Sequence, residues 1–144
     1  MSVFADLFLS FYFVAFFSSW LFSVLFKSIF YSVITRSNMF VRGFQNGGWP
    51  SSHSAVVSSI TLSIALVEGL TSTFFVSLIF SLIIMSDSFG VRQFVGKQGD
   101  LFNSKVIKSE KNFVKVVYGH TFWQVVVGSL CGILVTSVIF WLWF

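Results

Sequence analysis

The chain has 144 residues, of which 56% are hydrophobic and only 10% charged, with 21 Phe and a mean hydropathy of +0.88. That is one domain's worth of length, and the composition excludes an ordinary soluble domain in favour of an integral membrane protein. A net charge of +4 would point to nucleic acid in a soluble chain, but the nine bases lie in two stretches between apolar segments, where they act as topology signals; no nucleic-acid partner is expected.

A first span is expected over about residues 5–26, its positions 7–26 being free of charge and long enough to cross a hydrocarbon core about 30 Å thick. A signal peptide is disfavoured by Asp6 in place of a basic start and by the lack of a small-x-small site before Lys27. Residues 27–49 read as a basic loop with Lys27, Arg36 and Arg42, ending in the turn signal Asn46-Gly47-Gly48.

The second span is expected over residues 50–67. Pro50 suits a first helical position, and Ser54, Ser58, Thr61 and Ala65 form a small, hydroxyl-bearing stripe that should face other helices. Gly69 ends it, Thr71 or Ser72 caps the next helix, and a third span covers 71–90. Residues 91–119 form the second basic loop. Within it Val106, Phe113 and Val117 share one helical side and Lys108, Lys111 and Lys115 another, which fits a headgroup-level helix or a solvated loop. The last span, 121–143, carries Gly128 and Gly132 in GxxxG spacing and Trp141 and Trp143 as interfacial anchors.

The fold expected is thus all-α: a single membrane domain, residues 1–144, of about four transmembrane helices. Both basic loops, with three and six bases, lie on one side of the membrane. The protein is multi-pass, in a membrane the sequence does not specify. Its expected partners are membrane lipids, and other membrane subunits through the Gly128/Gly132 face. Cys131, the single cysteine, lies in an apolar run and reads as a small core residue.

That topology brings Lys27, Arg36, Arg42, Ser52, His53, Asp87, Arg92 and His120 to one face. Ionisable groups at membrane depth are costly without partners, so the cluster is a candidate site. Two histidines and Asp87 make a poor metal-ligand set, and no metal or other cofactor is expected. Two imidazoles among cations instead suit phosphoryl transfer, with one attacking phosphorus, the other protonating the leaving oxygen, and the cations holding the equatorial oxygens. The Pro50-Ser51-Ser52 helix start would add amide donors for an anion.

Gly48-Trp49-Pro50-Ser51-Ser52-His53, Asp87-Ser88-Phe89-Gly90-Val91-Arg92 with Gly96, Gln98 and Asn103, and Gly119-His120-Thr121 together resemble the divergent branch of the type-2 phosphatidic acid phosphatases, relatives of the vanadium haloperoxidases. The resemblance runs from about residue 27 to 132 and implies a metal-independent pocket acting on a lipid phosphate or pyrophosphate. By position, His120 would be the nucleophile and His53 the general acid. Arg92 and the Ser51 and Ser52 amides would cradle the phosphate, with Lys27 in the place of the family's first lysine although no Arg-Pro follows it.

Two departures stand out. Arg92 and His120 are 28 positions apart instead of close together. Gln124 takes the place of the acid expected four residues after the nucleophile, and an amide at the corresponding place in a serine protease triad costs about 10⁴ in rate. Two readings therefore remain: a membrane-embedded lipid phosphatase with reduced or lost activity, or a non-catalytic structural or assembly subunit of a larger membrane complex. A flippase-like element would require a midplane ionisable residue, and the sequence suggests none.

Overall fold

The computed structural model describes residues 10–35, 47–105, 113–114 and 116–144, and every regular element among them is an α-helix. These are α1 (Phe11–Thr35), α2 (Ser52–Glu68), α3 (Ser72–Phe89), α4 (Val91–Lys105) and α5 (Phe122–Trp143). α1 and α5 are long and apolar enough to cross a membrane, as is the run of α3 and α4 together; α2, with 17 residues, is shorter. The chain is a multi-pass membrane bundle of four helices, α1, α2, α3 and α5, with α4 added at one end.

α1 does not stop at residue 26. It continues for nine more residues, from Lys27 to Thr35, so Lys27 belongs to a helix and not to a loop. The outward side of that extension stays apolar, with Ile29, Val33 and Ile34 exposed, while Lys27 and Ser28 turn inward and are almost fully buried. A base on the inner face of an amphipathic extension does not end a membrane helix, provided the bundle supplies its environment. Arg36 and Arg42 lie outside the described residues.

α2 is the central helix and packs against α5, α1 and α3. Its start is set by Ser51, whose Oγ accepts the Ser54 amide at 3.3 Å, so Ser51 is the N-cap and Pro50 precedes the helix instead of opening it. Ser54, Ser58 and Thr61 are buried as the stripe required, while its fourth member, Ala65, is only half-buried. Ala55, Ser59, Ser63 and Ile64 are buried too, because a helix with neighbours on three sides hides more than one stripe. The core it enters is built from hydroxyls more than from large side chains: Thr136 Oγ1 donates to Ser59 Oγ at 2.7 Å, and Thr61 Oγ1 lies 2.7 Å from Ser81 Oγ. Such bonds average about 0.6 kcal/mol within membranes, so close approach, not hydrogen bonding, is the larger contribution.

Gly128 and Gly132 provide that approach. A Cβ on either would run into the backbone of α2, at Ser51 and Ala55 respectively. Their face is filled by α2 of the same chain, so it is not the surface offered to another subunit. The end of the bundle remote from the bases closes on aromatic contacts of Phe11 with Phe140 and Phe144, ring centroids 5.7 and 5.8 Å apart, and on the Tyr12 hydroxyl donating to Glu68 at 2.9 Å.

The second basic stretch also differs from its sequence reading. Its described helix is Val91–Lys105, which follows α3 directly after Gly90, and not a helix through residue 113. Residues 113–114 and 116–120 belong to no regular element, and Val114, Val116 and Tyr118 lie on α4, where the Asn103 side-chain amide pairs with both the Val114 N–H and the Val114 C=O at 2.9 Å. Gly96 and Gly99 form the groove for this segment, since a Cβ on them would meet Tyr118 and Val116 at 2.7 and 3.0 Å. Val106, Lys108, Lys111 and Lys115 lie outside the described residues.

Candidate active site

The site lies at the end of the bundle where α2 and α5 begin and α3 ends. Gly119 is wedged so tightly between the Ser88 carbonyl and the first turn of α4 that a Cβ would overlap Ser88 O and come within 2.9 Å of Arg92 Cβ. The next amide, His120 N–H, donates to Ser88 O at 3.0 Å. This docking brings Arg92 and His120, 28 positions apart in the chain, to one place, helped by the contacts of Val114, Val116 and Tyr118 with α4.

His120 stands just before the α5 cap and is 4% exposed. Thr121 caps α5, and Gln124 completes a capping box: Gln124 Oε1 accepts the Thr121 N–H at 3.0 Å and lies 3.2 Å from His120 Nδ1. A backbone N–H can only donate, so the atom facing it is the amide oxygen. That oxygen then has only lone pairs to offer Nδ1, which must carry the proton in the neutral ring, leaving the lone pair on Nε2. Gln124 therefore sets the tautomer of His120 from a position in the first turn of α5, not from one helical turn below a helical histidine.

The His53 ring faces His120 with centroids 6.3 Å apart and planes inclined by 62°. Both rings and Arg92 line a cavity of about 280 Å³ with Ser88, Tyr118 and Gly119. The charge of Arg92 acts on His53, and the buried charge of Lys27 acts on both rings. Lys27 lies under the Gly47-Gly48 turn, where both glycines have positive φ and a Cβ on Gly48 would meet Tyr31 Oη and Lys27 Cε at 2.8 and 3.0 Å. Burial lowers the His120 pKa from its usual 6.5, and the nearby Lys27 lowers it further, while hydrogen bonds with Gln124 and with the Gly48 backbone oppose the shift.

Arg92 Nε donates to Asp87 Oδ2 at 2.6 Å in an exposed pair. Held this way, Arg92 keeps its terminal Nη groups without a protein partner among the described residues. Asp87 itself does not line the cavity.

The helix start contributes differently from the sequence expectation. Ser51 is fully buried and its amide donates to the Gln124 carbonyl at 3.1 Å, so it joins α2 to α5 and is not free for a phosphate. Ser52 lines a smaller hollow with Trp20 and Ile84 on the other side of His53. No group of three or more His, Cys, Asp and Glu that could hold a metal occurs among the described residues. Sequence reasoning missed the Ser88 carbonyl, Tyr31 and the Gly119 wedge; only Gly119, adjacent to a candidate histidine, carried a signal.

A family model described as the Divergent PAP2 family matches residues 8–135. The chain belongs to the Divergent PAP2 family. Over 111 residues it is 38% identical to the uncharacterized membrane protein YuiD of Bacillus subtilis (strain 168), covering 65% of this chain and 70% of that protein. No solved structure matches. Membership of the Divergent PAP2 family fits a phosphatase-like membrane protein, and the matched stretch contains Lys27, His53, Asp87, Arg92, His120 and Gln124.

Proposed function

We propose that this Divergent PAP2 protein hydrolyses a lipid phosphate or pyrophosphate at the bundle end carrying His53, Arg92 and His120. The observation that carries the reading is the meeting of two imidazoles, 6.3 Å between centroids, across a cavity that also holds an arginine. His120 Nε2 attacks phosphorus and forms a phosphohistidine as the bond to the leaving oxygen breaks. His53 gives that oxygen its proton, then takes one from the water that releases phosphate. The Arg92 Nη groups hold the equatorial oxygens as charge builds, and Lys27, which does not line the cavity, adds its positive charge from beneath the Gly47-Gly48 turn. No metal or cofactor has a part in these steps.

Gln124 supports a slow enzyme. It supplies the right tautomer but no negative charge for the imidazolium that forms on His120, so it lacks one of the two contributions of a carboxylate. The test is release of inorganic phosphate from lipid phosphates by the purified chain in lipid nanodiscs, with His120→Ala as the control. Turnover that survives His120→Ala sinks the assignment.

A second reading follows from the same residue: a family member kept as a non-catalytic subunit of a membrane assembly. Purification from the native membrane in mild detergent separates the two. A fixed large complex without phosphatase activity favours this reading.

A further inference from the structure

Among the described residues, α3 and α5 make the weakest of the helix–helix contacts. Between them is a slot of about 510 Å³, almost wholly apolar, lined among others by Leu82, Met85, Phe89, Phe122, Val126 and Leu130. We propose that this slot seats one hydrocarbon chain of the phosphate ester whose headgroup occupies the His53–His120 cavity, a proposal that rests on the phosphate reading of that cavity.

Continuity is the first argument. Ser88 and His120 line the polar cavity, while Phe89 and Phe122, one and two residues further along the chain, line the apolar slot and pack edge to face at 5.6 Å between the two. Direction is the second. From Phe89 and Phe122 the slot runs back along α3 to Leu82 and forward along α5 to Leu130, which is from the charged end of the bundle toward the membrane interior. A lipid anchored by its phosphate at the charged end sends its chain the same way.

Size is the third argument. A cavity of about 150 Å³ holds the six carbons of benzene. On that scale the slot, about 510 Å³, has room for on the order of twenty carbons, about one lipid chain. Its floor is adaptable, because the Ser129 hydroxyl meets the Met85 sulfur across it at 3.4 Å, and an unbranched thioether yields to a guest's shape. Phe75 and Ile79, exposed on the outer side of α3, line neither the cavity nor the slot.

The test uses the full chain in phosphatidylcholine nanodiscs and two photoreactive probes: hexadecyl phosphate with a mid-chain diazirine, and the same chain ending in a neutral sugar. The phosphate probe should label the slot residues at least fivefold over Phe75 and Ile79, and excess inorganic phosphate should suppress that labelling. The neutral probe should show no such preference. Equal labelling patterns for the two probes overturn the proposal. Phosphorus NMR on the same sample reads inorganic phosphate directly. If phosphate binds and labelling is unfocused, the slot assignment falls alone; if phosphate does not bind, the reading of the cavity falls with it. Val126→Trp, which fills the slot, should lower the ratio of hexadecyl phosphate to inorganic phosphate affinity at least tenfold, and an unchanged ratio also refutes the proposal.

Discussion

Gln124→Glu should accelerate this protein. The wild-type amide oxygen is held by the Thr121 N–H at 3.0 Å and by His120 Nδ1 at 3.2 Å, so a carboxylate replaces it in the same place, and a glutamate at this position is the commoner partner in a capping box. Helix α5 therefore starts as before, and the change isolates charge. In a serine protease triad, replacing the acid by an amide costs about 10⁴, but that loss includes the wrong tautomer. Here the tautomer is already right, so only the electrostatic part is recoverable. Hydrogen bonds to charged groups contribute about 1.5–3 kcal/mol against about 1 for neutral ones, a difference on the order of 1–2 kcal/mol. At about 1.4 kcal/mol per decade, the expected gain is about tenfold in turnover. The assay is phosphate release from a lipid phosphate in nanodiscs, for wild type, Gln124→Glu, His120→Ala and the double variant. The gain should vanish in the double variant, because the carboxylate acts only through the ring. A wild-type enzyme whose turnover Gln124→Glu leaves unchanged would show that His120 is not oriented from position 124.

Because burial holds the His120 pKa below 6.5, the folded protein binds fewer protons than the unfolded chain between the lowered value and 6.5. Its contribution to stability is complete above about pH 6.5 and is lost as pH falls through the folded pKa; thermal unfolding at pH 7.5 and pH 5 should show the drop, and His120→Gln should flatten it. Gly132→Ala places a methyl on the Ala55 backbone, and overpacking of this kind costs about 1–3 kcal/mol, so the melting temperature in detergent should fall. Asp87→Asn releases Arg92 from an exposed pair worth about 0–1 kcal/mol to stability, so the melting temperature should hardly move while phosphate affinity weakens less than in Arg92→Ala; equal losses would show that Arg92 holds phosphate only when Asp87 orients it. Single cysteines at Thr71 and Lys97, two positions at opposite ends of the α3–α4 run, should label from opposite sides of the membrane, and same-side labelling would contradict a transmembrane α3.

The bundle was legible because uncharged runs of membrane length are a property of the sequence alone, as was the inward turn of Ser54, Ser58 and Thr61. Lys27 was not placed correctly by the same rule. Hydropathy treats a lysine as the end of a span, but helix α1 needs only its outer side to be apolar there, and the inner side at Lys27 is covered by the turn at Gly48, 21 residues away. The GxxxG spacing was half informative: Gly128 and Gly132 do let a helix approach closely, but that helix is α2 of the same chain and not another subunit, and His120 stands outside α5 because Thr121 is its cap.

The same distinction separates the residues of the site. His53, Arg92 and His120 announce themselves by residue type, since ionisable groups in an apolar chain need an explanation. What brings them together is chemically silent in the sequence: a carbonyl at Ser88, a missing Cβ at Gly119, an amide at Ser51 already given to the Gln124 carbonyl. Ser51 shows the consequence. Its motif suggested a donor to phosphate, but a helix start buried against another helix must satisfy its amides within the protein, and the Ser51 amide does so. On the proposed phosphate reading, the anion-holding role then falls to side chains whose charge no backbone contact consumes, the Arg92 guanidinium above all. This is why substitutions at Arg92 should weaken phosphate binding, while substitutions at Ser51 should first weaken the bundle.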